Sequence, residues 1–141
     1  MKKLLPILLL SIASILACDK HDNYIVNDYI KDFIELKYKG ARILYAEKDY
    51  NGEIDVEIIH DNTRKEVKFN RKNVWIETTW NIAISQLPNV VMKNILDRYP
   101  EYRIDDADYI ENKSGGYYKI EIKKGEWDKT IFMTPNGEII N

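Results

Sequence analysis

The sequence contains few residues whose type and spacing could support chemistry. Its densest acidic cluster consists of Asp105, Asp106, Asp108 and Glu111. A calcium-binding loop of the EF-hand type that began at Asp106 would need an oxygen ligand at Ile110 and a glycine at Glu111, so the cluster does not fit that motif. Charges along a strand edge, which discourage pairing with other strands, are the simpler interpretation.

The other candidate residues for metal or acid–base chemistry also lack partner residues at a suitable spacing. Glu53, Asp55 and Glu57 alternate along one strand face, where such acids usually form the solvent side of a sheet. His21 and His60 have no further ligand at a spacing typical of zinc. The sequence has no phosphate-binding loop, dinucleotide motif or nucleophile elbow. It therefore predicts no enzyme, no metal site and no cofactor.

Cys18 is the single cysteine, and its surroundings predict a lipid attachment site. Two lysines precede an apolar run over residues 4–16, which is too short to span a bilayer comfortably. The stretch Ile15-Leu16-Ala17-Cys18 resembles the lipobox of bacterial lipoproteins, in which the preceding segment is removed and the cysteine is acylated. An ordinary signal peptide with a free thiol is the alternative, although an unpaired thiol in an exporting compartment would be a liability.

The prediction for the N-terminus is therefore a lipoprotein signal peptide over residues 1–17 and a tether over residues 18–24. The protein would be lipid-anchored in a bacterial cell envelope, on the periplasmic side or at the cell surface. Removal of residues 1–17 would leave a formal charge of −4. This acidic balance argues against nucleic-acid binding, which needs clustered Lys and Arg.

The apolar pattern predicts a helix followed by four strands in the first half of the chain. The predicted helix covers residues 25–38, with apolar side chains at i, i+3 and i+4 on one stripe: Val26, Tyr29, Ile30, Phe33, Ile34 and Tyr38. After Gly40 the apolar period changes to two. Asn51-Gly52 is a strong hairpin signal, and Ile54, Val56 and Ile58 alternate onto one face.

The same order recurs in the second half. Pro88 begins a predicted helix that Pro100 ends, with an apolar stripe made of Met92, Ile95, Leu96 and Tyr99. Strands follow, and Asn136-Gly137 leads into a short last strand. Asn73 and Gly137 fall at matching positions, and both residue types tolerate a positive φ.

These patterns predict an α+β fold built from two tandem αβ4 repeats, residues 25–80 and 87–141, joined by a linker over residues 81–86. Each repeat would pack one helix on a four-stranded antiparallel sheet. Helices on one side of a wide sheet would leave its other face open to solvent or to a partner.

The second repeat resembles a known family. Its "LP…V…I…YP…I" helix, its "GYYKIEI" strand and its "IFMTPNGEII" ending are similar to the PepSY-like family of secreted bacterial proteins, which is also described as β-lactamase-inhibitor-protein-like. The resemblance covers residues 87–140 well and residues 26–80 more loosely. It implies export or lipid anchoring, and protein binding or inhibition through the open sheet face rather than catalysis.

Strand alternation then predicts the contact residues on that face. Trp75, Tyr117 and Phe132 are the candidate anchors, and Lys119 and Glu121 are the candidate specificity contacts. Aromatic residues that cover the seam between the repeats are the alternative. The predicted function is binding of an unidentified envelope protein. The alternative function is an envelope structural or small-ligand module that stacks a glycan on the same aromatics.

Overall fold

The computed structural model describes residues 23–140 of the chain. Two helices and seven strands follow one another along the sequence. Their bounds are α1 Asp28–Lys37, β1 Arg42–Lys48, β2 Ile54–His60, β3 Thr63–Phe69, β4 Trp75–Asn81, α2 Asn89–Arg98, β5 Arg103–Asn112, β6 Gly115–Lys124 and β7 Trp127–Met133. A short 3-10 helix, Ile84–Gln86, lies between β4 and α2.

Local sequence signals define both helices. Asn27 caps α1, because its side-chain oxygen accepts a hydrogen bond of 3.1 Å from the backbone N–H of Ile30. Asp28 in the first turn and Lys37 in the last turn complement the helix dipole. Pro88 precedes the first residue of α2, where its missing N–H costs no hydrogen bond.

The strands form one continuous antiparallel meander in the order β1-β2-β3-β4-β5-β6-β7. Tight turns make this order possible. At the β2–β3 turn, for example, Asp61 and Asn62 both adopt a positive φ, of 49° and 57°. The β4–β5 ladder runs from Glu77↔Asn112 to Asn81↔Asp108 and joins the two halves into one sheet.

Both helices pack on the same face of this sheet. Ile30 and Ile34 of α1 pack with buried side chains of β1–β3, and Val91 and Ile95 of α2 pack with buried side chains of β5–β7. Val67 of the first core pairs with Thr78, and Thr78 pairs with Glu111. Glu111 lies four residues after Ala107, which belongs to the second core. Because paired residues share a face and a strand alternates with period two, the two cores lie on one side of the sheet.

The sheet has seven strands where the sequence predicts eight. The segment after β7 turns at residues 134–137, and its one bridge to β7 is Met133↔Ile139. Backbone hydrogen bonds flank that bridge, from Ile140 N to Phe132 O and from Thr134 N to Glu138 O. The last predicted strand is thus a single bridged residue, and most of the outer edge of β7 has no neighbouring strand among residues 23–140.

The buried stripes of the helices differ from the predicted ones. Tyr29 is 64% exposed and Leu96 is 46% exposed, whereas the apolar side chains of Leu87 and Val91 are buried. A helix that lies flat on a sheet buries the residues directly above the strands, so apolar residues at the margin of the stripe stay in solvent.

Several local features occur at matching places in the two halves. A β-bulge interrupts the β1–β2 ladder between Ile43 and Tyr45, and another interrupts the β5–β6 ladder between Ile104 and Asp106. Tyr38 and Tyr99 directly follow α1 and α2, with φ of −126° and −130°. Asn73 and Gly137 both adopt a positive φ in the turn after the third strand of each half.

Candidate functional site

The open face is the sheet surface opposite α1 and α2. Strand pairing places on it nine carboxylates and six basic groups, together with a smaller number of apolar and neutral residues. The carboxylates are Glu47, Asp55, Glu57, Glu66, Glu77, Asp106, Asp108, Glu121 and Asp128, and the basic groups are Arg42, Arg64, Lys68, Arg103, Lys119 and Lys123. No helix or strand of residues 23–140 packs over this face.

One corner of the open face is apolar. Tyr117 of β6 and Phe132 of β7 form an edge-to-face pair, with ring centroids 6.1 Å apart and an interplanar angle of 65°. Together with Asn112 and Ile140 they line a concavity of about 430 Å³. Tyr117, Phe132 and Ile140 constitute the aromatic corner.

The aromatic corner has a buried neighbour on the same face and remains accessible. Ile110 pairs with Tyr117 across the β5–β6 ladder and is 6% exposed, whereas Phe132 is 38% and Ile140 is 40% exposed. Burial, together with the nearby charge of Glu77, raises the pKa of the Tyr117 phenol. The hydroxyl therefore stays protonated at neutral pH and can donate a hydrogen bond to a partner.

Trp75 does not lie on the open face, which corrects the prediction from alternation. Its ring packs on the helix side, 5.7 Å from the ring of Phe33 on α1, and its indole N–H donates a 3.0 Å hydrogen bond to Thr78 Oγ1. The cause is a bulge in β4, where Glu77 pairs with Lys68 and Trp75 pairs with Phe69. The extra residue, Ile76, turns Trp75 to the opposite face.

Lys119 and Glu121 lie on the open face beside the aromatic corner. Lys119 pairs with Phe132 across the β6–β7 ladder. Its ammonium group is 3.6 Å from Asp108 Oδ2 and 3.7 Å from Glu121 Oε1. These long ion pairs on a partly exposed surface contribute little to stability, so both side chains can be redirected toward a partner at low cost.

The other end of the open face is acidic. Asp55 Oδ1 is buried, and its ion pair with Lys68 Nζ spans 3.5 Å. Burial raises the pKa of Asp55, the charge of Lys68 opposes this effect, and Glu47 and Asp49 add to it. Tyr45 donates a hydrogen bond of 2.5 Å to Glu47, which is the main cause that raises the pKa of Tyr45 to about 12.

Ile110 and Ile140 belong to the candidate site, but the sequence prediction omits them. Strand alternation counted from Ala107 would have placed Ile110 on the face opposite the core. Ile140 could not be found by alternation, because its position depends on the turn at residues 134–137 that folds it back beside Phe132.

Within residues 23–140, no group of three or more His, Cys, Asp and Glu side chains is arranged to hold a metal ion. In the same range, no helix is long and apolar enough to cross a membrane. Cys18, the proposed lipid attachment site, lies outside the described residues.

Comparison with known proteins identifies the family. The sequence profile described as "Putative beta-lactamase-inhibitor-like, PepSY-like" matches residues 53–141, which is more than half of the chain. The chain belongs to the PepSY-like family. No curated protein matches this PepSY-like chain.

Solved structures share the fold of this PepSY-like protein at low sequence identity. A BLIP-like protein from Bacteroides fragilis NCTC 9343 has a TM-score of 0.72 at 20% identity, over 84% of this chain and 86% of that chain. A DUF2874 family protein from Bacteroides ovatus ATCC 8483 has a TM-score of 0.73 at 16% identity, over 84% and 87% of the two chains. A structure from Bacteroides eggerthii DSM 20697, described among "putative periplasmic proteins", has a TM-score of 0.70 at 14% identity, over 84% and 88%.

Proposed function

We propose that this PepSY-like protein is an extracytoplasmic binding module that holds a protein partner on its open face. The observation that carries the proposal is the aromatic corner, an edge-to-face pair at one end of a sheet face that no element of residues 23–140 covers. Protein interfaces concentrate binding energy in aromatic anchors surrounded by polar contacts. Tyr117 and Phe132 are the anchors, and Lys119 and Glu121 are the surrounding polar contacts.

The charge of the open face indicates the kind of partner. Nine carboxylates against six basic groups favour a partner surface rich in Lys and Arg around an apolar centre. Such complementarity mainly accelerates association, so the association rate should fall as the salt concentration rises. The mechanism would be steric occlusion or sensing of the bound protein.

The location in the envelope rests on the N-terminal sequence. The lipobox-like stretch that ends at Cys18 supports acylation of this cysteine after export. The description of a structural relative as periplasmic and the β-lactamase-inhibitor-like description of the family agree with an extracytoplasmic protein partner. An acylated Cys18 would hold the domain close to a membrane surface.

We also infer that the two halves are copies of one αβ4 unit, the second of which has lost most of its fourth strand. The matching bulges in β1–β2 and β5–β6 support this inference, because a bulge at an equivalent place is an inherited feature of a fold. The similar backbone angles of Tyr38 and Tyr99 add to it.

Site-specific photocrosslinking in the native envelope tests the proposed face. A photoreactive benzoylphenylalanine at Glu121 should give a crosslinked protein product, whereas the same group at Asp32, on the exposed side of α1, should not. Tyr117→Ala combined with Phe132→Ala should abolish the product. Tyr29→Ala, which removes an exposed aromatic on the helix side, is the matched control and should leave the product unchanged.

Two results would contradict the proposal. Equal crosslinking from Glu121 and Asp32 would show that the open face is not preferred. A crosslink from Glu121 that survives loss of both aromatic rings would show that the aromatic corner is not the anchor. A glycan-array signal without any protein product would favour the small-ligand alternative on the same face.

A further inference from the structure

α1 carries exposed apolar side chains that its packing on the sheet does not use. Tyr29 is 64% exposed and Leu36 is 88% exposed, whereas Ile30 and Ile34 of the same helix are buried. Tyr29 and Leu36 are seven residues apart, so at about 100° per residue they point in the same direction to within about 20°. They are separated by about 10 Å along the helix axis. Tyr29 and Leu36 constitute the outer row of α1.

The outer row borders a shallow concavity on the same helix. The concavity has a volume of about 270 Å³ and is lined by Tyr29, Asp32, Phe33 and Leu36. Phe33 forms its inner wall, since the Phe33 ring also packs against Phe69 and Trp75, with centroid distances of 5.4 and 5.7 Å. In the described part of the chain only α1 lines this concavity. Its outer side is therefore open to solvent.

The second helix does not repeat the outer row. When the two helices are aligned on the tyrosine that directly follows each of them, Asp97 of α2 corresponds to Leu36. Asp97 forms an ion pair with Lys93, which is typical of a solvent-facing helix surface. Val90, at the position of Tyr29, is 43% exposed. The pair of large exposed apolar side chains is thus a feature of α1 and not of the repeated unit.

The charges around the outer row are balanced. The Asp28 carboxylate is 3.2 Å from Lys31 Nζ, and Lys37 pairs with Glu111. Residues 28–39 contain three acidic and three basic side chains, which are Asp28, Asp32, Glu35, Lys31, Lys37 and Lys39. A flank without net charge binds through apolar contact, so its binding should not depend on the salt concentration.

The N-terminal segment places α1 close to the proposed lipid anchor. Cys18 precedes the first residue of α1 by ten residues, which span at most about 36 Å when fully extended. Tyr24 N donates a 2.9 Å hydrogen bond to Ala46 O, so the chain enters α1 from the outer edge of β1. The concavity lies on the other side of α1, because Phe33 faces Trp75 of β4.

We propose that the outer row of α1 rests on the membrane surface to which Cys18 is anchored, with Tyr29 and Leu36 inserted at the level of the lipid headgroups. This inference rests on the acylation of Cys18 proposed above. Tyrosine suits such a boundary, because its ring is apolar and its hydroxyl group stays in contact with water. Since α1 and the open face lie on opposite sides of the sheet, the contact turns the open face away from the membrane and toward a protein partner.

A lipid surface fits the outer row better than a second protein does. Two side chains on a convex helix cover much less than the roughly 800 Å² that each partner buries in a standard protein interface. A membrane contact needs less area, because the lipid anchor already holds the protein at the surface and makes the contact intramolecular.

Vesicles that carry the protein on a chemical anchor test this orientation. The chain from Cys18 to Asn141 is coupled through its only thiol to a maleimide lipid in phosphatidylcholine vesicles. A photoreactive benzoylphenylalanine at Asp32 should give a lipid adduct, detected by its mass, at low and at high salt concentration. The same group at Glu121, on the open face, should give none.

Variants of exposed residues show whether the outer row makes the contact. Tyr29→Gln combined with Leu36→Gln should lower the yield of lipid adduct at Asp32 at least about tenfold, because two apolar side chains no longer enter the lipid. Val90→Gln combined with Leu96→Gln removes two exposed apolar side chains from α2 and is the matched control, which should leave the yield unchanged. Circular dichroism should show the same fold for both variants.

Each alternative outcome overturns the proposal. An unchanged yield after Tyr29→Gln and Leu36→Gln would show that the outer row does not make the contact. Equal yields at Asp32 and Glu121 would show that the anchored protein has no preferred orientation. A protein dimer in place of the lipid adduct would assign the outer row to a second copy.

The chemical anchor keeps these outcomes separate from the acylation of Cys18 in the cell. A mature protein whose mass shows no acyl chain on Cys18 would remove the anchor and the inference with it, whatever the vesicles show. Photocrosslinking of a protein partner from Glu121 in the native envelope would be unaffected by either failure, so failure here is distinguishable from failure of the open-face proposal.

Discussion

Thr78 is the buried polar residue at the junction between the two halves. Its hydroxyl contacts the Tyr38 hydroxyl at 2.7 Å and the Trp75 indole at 3.0 Å. Glu111, from the first strand of the second half, contacts the same Tyr38 hydroxyl. A polar group in this position is tolerated only because its partners are present, since an unsatisfied buried hydroxyl is costly.

Removal of the Tyr38 hydroxyl should therefore destabilise the protein. We expect Tyr38→Phe to lower the free energy of unfolding by about 1–3 kcal/mol, because Thr78 and Glu111 lose a hydrogen-bond partner in a buried place. Urea denaturation measures this change. Tyr99→Phe is the matched control, since within residues 23–140 the Tyr99 hydroxyl forms no hydrogen bond, and its effect should be below about 0.5 kcal/mol. Equal losses for the two variants would contradict the prediction.

Asp55 should make stability depend on pH in a defined direction. Burial raises the pKa of Asp55 in the folded state above its ordinary value of 3.8, so folding favours the protonated carboxyl group. This contribution is fully present below pH 3.8 and is lost as the pH rises through the raised pKa. The free energy of unfolding of Asp55→Asn should therefore increase relative to the wild type from acidic to neutral pH.

Urea denaturation at a series of pH values measures the difference between Asp55→Asn and the wild type. Asp128→Asn removes a carboxylate from the exposed edge strand and is the matched control. A difference that decreases with rising pH would mean that Lys68, and not burial, dominates the environment of Asp55.

At the scale of the elements, the sequence predicts where the strands lie better than it predicts the sheet face on which each side chain lies. Alternation places Tyr117 and Phe132 opposite the core because β6 and β7 pair without interruption. It fails at Trp75, since the bulge at Ile76 cannot be read from an apolar pattern. The prediction that Tyr29 is buried is wrong for another reason. The exposure of Tyr29 depends on how α1 lies over the sheet, which is a property of tertiary packing.

Contacts with α2 hold the turn after β7 in place. The Asn94 side chain on α2 donates a 2.9 Å hydrogen bond to Gly137 O. A Cβ at Gly137 would meet Asn94 Nδ2 at 2.5 Å and Val90 Cγ2 at 3.1 Å. Gly137 also adopts a φ of 84°, so both space and backbone conformation favour glycine.

Gly137→Ala should consequently lower the free energy of unfolding by more than the backbone strain of a positive φ alone would. Gly125→Ala is the matched control, because Gly125 has a φ of 57° and a Cβ added there would meet no atom within 4 Å. We expect Gly125→Ala to lower the free energy of unfolding by about 1–2 kcal/mol and Gly137→Ala by about 1–3 kcal/mol more. Chemical denaturation measures both values. Equal effects would show that the last turn is not held tightly against α2.

At the scale of the whole molecule, one sheet connects two separate cores. The first core packs α1 on β1–β3, and the second packs α2 on β5–β7. The β4–β5 ladder and the contacts of Glu111 with Tyr38 and Lys37 are among the links between them. β4 pairs with β3 of the first half and with β5 of the second half. Unfolding of either core would therefore remove one neighbour of β4 and expose the β4–β5 ladder to solvent.

The two halves should therefore unfold in a single transition despite their separate cores. Ile58→Ala, in the first core, should lower the free energy of unfolding by about 2–5 kcal/mol, because it leaves a cavity at a fully buried position. Native-state hydrogen exchange should report the same decrease at Val56 in the first core and at Ile120 in the second, since both amides exchange through global unfolding. Tyr29→Ala, on the exposed side of α1, is the control and should change neither.

A decrease confined to Val56 would mean that the halves unfold independently and that the β4–β5 ladder does not couple them. Coupling of this kind would keep the open face continuous across β4 and β5, which a partner that spans both ends of the sheet requires.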